Sequence, residues 1–188
     1  MTHSPNKAPL YTDESNEAHE LAVLACISMT KPEWNFTRSI EKKASFDGFI
    51  HKRHEKIGVW YDAPFQMYEI RRLHCSYETY ETAMISYTKI QQWQTFYPIT
   101  QIKCYFAVNW NDRLAYADIE DIAQYRDIRV SPFSKNRKNP EHDREIVFHY
   151  PVNKFKTITD AKTARELYNV KSLEQAASWV EAAKGQKR

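Results

Sequence analysis

Between Ser45 and Leu73 the chain leaves room for little except strands. Phe46-Asp47-Gly48-Phe49-Ile50 opens a run that alternates to Lys52, Ile57 to Tyr61 is rich in β-formers, and Phe65 to Leu73 alternates again. Pro64 stands as a breaker between the last two runs. Side chains two apart on a strand share a face, so Glu69 and Arg71 point the same way, with Phe65 and Met67 in line with them. If that face also carries Asp47, two carboxylates and a permanent cation converge on one point. Mg²⁺ is held by one or two carboxylates together with water and phosphate oxygens, so such a point suits phosphodiester chemistry.

The remaining elements follow from periodicity and caps. Asp13, Glu14 and Ser15 offer N-cap chemistry for a helix to about Met29, with Leu21, Leu24, Ala25 and Ile27 on or near one face. Glu17 and Glu20 are neighbours on that helix, where the helix dipole alone would account for them. Lys31 to Ala44 reads as loop with a short strand or helix. Ala83, Ile85, Ile90 and Trp93 have helical spacing and predict a helix over about 77–96, ended by Pro98. Its Tyr77, Tyr80, Tyr87 and Trp93 are either base-stacking rings or core anchors. Ile102 to Trp110 is the strongest strand, and a turn at Asn111-Asp112-Arg113 joins it to a partner at Leu114 to Asp118. A short helix within 119–129, a basic loop and a strand at Ile146 to Tyr150 come next. Asp160 caps a helix to about Tyr168, and Ser172 with Gln175 forms a capping box for a helix over Leu173 to Lys184. The apolar face of that last helix, Leu173, Ala176, Ala177 and Val180, suits either the core or a homodimer contact.

Composition excludes several classes. Three glycines in 188 residues cannot build a Gly-rich phosphate loop. Cys26, Cys75 and Cys104 have no C-x-x-C spacing and an odd count, which argues against a disulfide framework and a structural zinc site. A net charge of +3 does not announce nucleic-acid binding, so clustering carries that signal. Lys135, Arg137 and Lys138 share a loop between Pro132 and Pro140, and His51, Lys52, Arg53 and His54 follow the Asp-Gly pair. The polar N-terminus and the lack of any long apolar stretch predict a soluble, cytoplasmic protein without membrane contact.

In Asp47, the later Glu69-Ile70-Arg71 and the order of elements around them, the chain resembles the PD-(D/E)XK nuclease superfamily, and within it the small nucleases of bacteriophage genomes. The resemblance covers about residues 13–158, leaving 1–12 as a disordered lead and 159–188 as a helical C-terminal extension. It implies an α/β (α+β) fold, with a central mixed sheet flanked by helices and a restriction-endonuclease-like αβββαβ core. It further implies that Asp47 and Glu69 bind Mg²⁺ or Mn²⁺, that Glu20 from the first helix completes the site, and that DNA is cleaved. Lys52, Arg53, Lys135, Arg137 and Lys138 would then contact phosphates. The departure is Arg71, where the superfamily usually has Lys. Arginine stays protonated and cannot act as a base, though it can offset phosphoryl charge. Lys89, on the following helix, stands where some members supply a displaced lysine, and a bound metal can itself acidify water. A second reading keeps the fold and drops the chemistry: an inactive nuclease-like protein binding nucleic acid or a protein partner.

Overall fold

The computed structural model describes residues 14–39, 45–56, 59–131 and 145–186, with the main chain alone over 53–56 and 59–62. The residues 1–12 read as a lead and the loop cations Lys135, Arg137 and Lys138 lie outside the described residues. A first helix, α1 (Glu14–Ser28), precedes strands β1 (Trp34–Arg38), β2 (Gly48–Lys56) and β3 (Val59–Arg72). A short strand β4 (Thr82–Ser86), helix α2 (Tyr87–Thr100), strands β5 (Lys103–Asn109) and β6 (Leu114–Asp118) and helix α3 (Ile119–Tyr125) follow. The chain closes with β7 (Ile128–Val130), β8 (Ile146–Pro151), β9 (Lys156–Thr157), α4 (Ala161–Tyr168) and α5 (Leu173–Gly185).

Six strands form the main sheet in the order β1-β2-β3-β5-β6-β9, and β4-β8-β7 form a second, smaller sheet. Neighbours in the main sheet are antiparallel except β3 and β5, which run parallel with Glu69 beside Phe106. A parallel pair needs a crossover, here supplied by β4 and α2. The α1, β1, β2, β3, α2, β5 succession is the expected αβββαβ order in a mixed sheet flanked by helices.

Alternation along the central strands divides the core in two. Met67, Cys104, Phe106 and Val108 face α2, α3 and the small sheet, while Tyr68, Ile70, Ala107 and Leu114 face α1, α4 and α5. Cys26 and Cys104 are buried, as small core residues are. The C-terminal helices belong to the second half of this core. Ala164, Leu167, Val170 and Ala176 pack with α1, and Ala183 is buried two turns further along α5. On α5, Leu173 is 45% exposed and Ala177 is exposed, so the buried ridge passes through Ala176 and Ala183 instead of the face read from the sequence.

Three expectations require correction. The helix read over 77–96 begins at Tyr87, after a 3₁₀ turn at Tyr77–Thr79 and strand β4. Ala83 and Ile85 are buried with a strand's period of two, and the Ser86 hydroxyl accepts from Thr88 N to start α2. Pro98 lies inside α2, whose end comes at Gln101 in the left-handed region at φ 57. Pro64 does not divide two strands. It sits opposite His51 within continuous β3, and the register jumps from Ile50–Gln66 to His51–Pro64, so Phe65 is an extra residue in a bulge. The bulge turns Phe65 towards Trp34 and the α1 side of the core, away from Met67. His51 to His54 are part of β2, and β1 is the short strand allowed for within 31–44.

Helix α1 seats directly over the start of β2. A β-carbon on Gly48 would collide with Leu24 Cδ1 and lie 2.8 Å from the Thr37 carbonyl oxygen, and Leu24 is fully buried. Gly48→Ala is expected to cost about 1–3 kcal/mol by overpacking, read as a lower urea midpoint at unchanged slope.

Candidate active site

The ladder between β2 and β3 ends at Gly48 and Tyr68. Beyond it the main chain of Asp47 still bridges the neighbouring strands, its N–H donating to Tyr68 O at 2.9 Å and its carbonyl accepting from Ser39 N at 2.8 Å. The next β3 amide on that side, Ile70 N–H, has no strand to pair with and donates to Asp47 Oδ2 at 2.6 Å. That bond fixes the Asp47 carboxylate at the point where β2 parts from β3. A cleft of about 340 Å³ opens there, lined by Asn16, His19 and Glu20 of α1, by Asp47, and by Glu69, Ile70, Arg71, Arg72 and His74 on and after β3.

Two of the cleft acids, Glu69 and Glu20, have a basic side chain at their back. Lys89 Nζ lies 2.6 Å from Glu69 Oε2 and donates to the Ser45 carbonyl at 2.9 Å, with both side chains of the pair about 20% exposed. Arg38 on β1 reaches Glu17 at 3.4 Å and Glu20 at 3.6 Å. Arg71 is exposed and donates from Nη1 to the Met84 carbonyl of β4 at 2.9 Å. Alternation turns Arg72 the other way, where it donates to Val170 O at 2.9 Å, Ser15 Oγ at 2.8 Å and Asn16 Oδ1 at 3.2 Å. It thereby ties the end of β3 to the first turn of α1 and to the segment after α4.

Burial pushes the Glu20 carboxyl up from its ordinary 4.5 to about 8, with the Asp47 charge adding to the rise and Arg38 opposing it. Glu69 is pushed up to about 7, by burial first and then by Asp47, against the pull of Lys89 and Arg71. Asp47 is also raised by burial, which outweighs the Ile70 N–H and the charges of Lys89, Arg38 and Arg71. Three carboxyl groups that each disfavour their charged form and repel one another are a site short of positive charge.

Asp47, Glu69, Glu20 and Arg71 thus line one cleft, and Lys89 stands behind Glu69. Lys52 is exposed on β2 opposite Ala63 and does not line the cleft, and the Arg53 backbone pairs with Asp62 further along the same strand. Of the four aromatic residues considered for stacking, Tyr77 packs edge-on against Trp110, Tyr87 stacks on Phe148 and Trp93 leans on Tyr97, while Tyr80 is 64% exposed.

Sequence reading missed His19, Arg38, Arg72, His74 and Tyr168. His19 is buried, and burial together with the charge of Arg72 lowers it to about 3. Its neutral Nε2–H donates to the Asn109 amide oxygen at 3.0 Å once that amide is oriented to donate to Trp110 O and accept from Tyr168 N. A lone histidine in an apolar helix carries no sequence signal that distinguishes this role.

No group of three or more His, Cys, Asp or Glu side chains among the described residues is spaced to hold a metal ion by itself. Mg²⁺ does not require one, since one or two carboxylates suffice when water and substrate complete the shell. The donor set of hard carboxylate oxygens, with raised proton affinity and deficient positive charge, fits such a cation better than it fits a soft metal.

No protein-family model matches the sequence, and no curated protein matches it. Among solved structures the chain is similar to a nuclease from a fusellovirus at 15% identity, covering 86% of this chain and 97% of that one with a TM-score of 0.48. It is also similar to Hjc, a Holliday junction resolvase from the archaeal hyperthermophile Archaeoglobus fulgidus, at 10% identity, covering 73% of this chain and 95% of that one with a TM-score of 0.39. No helix among the described residues is long and apolar enough to cross a membrane.

The raised acids make stability depend on pH with a definite sign. Because Glu20 and Glu69 hold protons in the fold at pH values where the unfolded chain has lost them, their contribution is complete below about 4.5 and lost as pH rises through about 7 to 8. Without divalent cations the melting temperature is therefore expected to fall over that window. Glu20→Gln is expected to flatten the fall, as followed by circular dichroism in EDTA.

Proposed function

We propose that the protein is a Mg²⁺-dependent nuclease that hydrolyses phosphodiester bonds of DNA. The observation that carries this is the meeting of Glu20, Asp47 and Glu69, from three separate elements, in one cleft that also presents Arg71. Asp47 and Glu69 would hold the cation, and Glu20 would reach it through water. A cation so held supplies Lewis acidity towards the phosphoryl group and acidifies water, with Mn²⁺ an acceptable substitute.

The chain's own residues divide the remaining work. The Ile70 N–H sets the direction of Asp47. Lys89 holds Glu69 and is better described as a positioning residue than as a base, because its ammonium is engaged by Glu69 and by Ser45 O. Arg71 faces the cleft and can offset the charge that grows on the non-bridging phosphoryl oxygens, a role that needs a permanent cation and no proton transfer. Replacement of the usual lysine by Arg71 therefore does not rule out catalysis on chemical grounds.

The same replacement favours the second reading, an inactive nuclease-like protein that binds nucleic acid or a protein partner, and one assay separates the two. Linear and circular DNA, duplex and single-stranded, would be incubated with Mg²⁺ or Mn²⁺. The nuclease reading expects metal-dependent cleavage that falls at least about 10²-fold in Asp47→Ala and Glu69→Ala, and about 10-fold to 10²-fold in Arg71→Ala. Salt-sensitive DNA binding without cleavage of any form would establish the binding module instead.

A further inference from the structure

Along β3 and the residues after it, the wall of the cleft changes sign. Glu69 is followed two residues on by Arg71 and then by His74, all lining the same space. Two residues advance a strand by roughly 6.6 Å, so the basic stretch lies beside the carboxylates and not on top of them. His74 differs from the buried His19 next to it in being exposed. Its ring is nevertheless held: Nδ1 lies 2.5 Å from Tyr168 Oη, and the two rings meet edge-on at 5.6 Å and 79°. With the tyrosine hydroxyl donating to Nδ1, the imidazole carries its proton on Nε2, which is then a donor left for a ligand.

Tyr168 is well placed to hold this ring. It is the last residue of α4; its carbonyl accepts from Arg72 at 3.4 Å and its N–H donates to the Asn109 amide oxygen at 3.1 Å. The main chain of one residue is thus bonded to the ends of β3 and β5, and its side chain aims His74. An exposed imidazole oriented by a residue anchored twice over, lining the same cleft as Arg71, offers a donor suited to a phosphodiester oxygen.

We propose that His74 forms a phosphate-binding subsite beyond Arg71, for the phosphate next to the one at the carboxylates, with Tyr168 as the positioning residue that the C-terminal tail contributes. The identity of the phosphate carrier as DNA rests on the nuclease reading; the subsite itself does not. Anisotropy of a labelled oligonucleotide on the full chain, with Ca²⁺ replacing Mg²⁺, tests it. His74→Ala is expected to weaken binding about tenfold, Tyr168→Phe about threefold, and His74→Gln less than His74→Ala, because it keeps a donor. Mn²⁺ affinity and the urea midpoint of each variant should match wild type, and in cleavage KM should rise with kcat held. Wild-type affinity in His74→Ala, or a fall in kcat at unchanged KM, would overturn the proposal. Inorganic phosphate followed by ¹⁵N spectra of the His74 ring separates the two readings. A response to phosphate without DNA binding would support the subsite and reject DNA as its ligand; a response to neither would reject the subsite.

Discussion

Helix α1 lies so close to strand β2 that position 48 has no room for a β-carbon, and the rest of the site depends on that contact. The helix brings Glu20 to within electrostatic reach of Asp47 and Glu69, which the sheet supplies from its other side. The residue before the glycine takes up the amide that the end of the β2 ladder leaves without a partner. A single Asp-Gly pair therefore does two jobs: glycine sets the distance between helix and sheet, and aspartate closes the hydrogen bonding where the two strands part. Arg72, bonded to the first turn of α1, and the packing of Ala164, Leu167 and Ala176 keep α1 from moving away.

The electrostatics of the cleft are arranged in layers. Acids line it, and Lys89 and Arg38 stand behind Glu69 and Glu20, close enough to hold them but not enough to overcome burial and mutual repulsion. Exposed positive charge comes from Arg71, one strand period beyond Glu69. Lysine would fit poorly there if the task is to span from the cleft to the Met84 carbonyl, since a guanidinium can donate in one direction and keep further donors for another. In the proposed function a divalent cation would compete with protons for these buried carboxylates, so that metal affinity and acidity would be two views of one charge imbalance.

Local signals in the sequence were sufficient where one element decided the outcome. The Asp-Gly pair, the alternation that puts Glu69 and Arg71 on one face, helix α1, the β5–β6 hairpin and the caps at Asp160 and Ser172 are all readable from neighbours in the chain. Short apolar runs were ambiguous. Ala83 and Ile85 fit a helix and a strand equally well, and only pairing with Phe148 and Tyr150 of β8 decides for the strand. Pro64 looked like a break because a proline cannot donate to a ladder, yet a bulge opposite His51 accommodates it. The residues that support the site were invisible for a different reason. Arg38, Arg72, His74 and Tyr168 meet partners distant in sequence, and nothing near them in the chain announces those contacts.

The central claim is that Asp47 and Glu69, with Glu20 close by, form a cation-deficient cluster, and the proposed function has that cluster take up a divalent metal in exchange for protons. Calorimetric titration with Mn²⁺ near pH 7, repeated in buffers of different ionisation enthalpy, measures both quantities at once. Saturable binding with release of about one proton or more, with affinity rising towards pH 8 and both signals lost in Glu69→Gln, is the predicted result. Binding without proton release, or binding that persists unchanged in Glu69→Gln and Asp47→Asn, would contradict it.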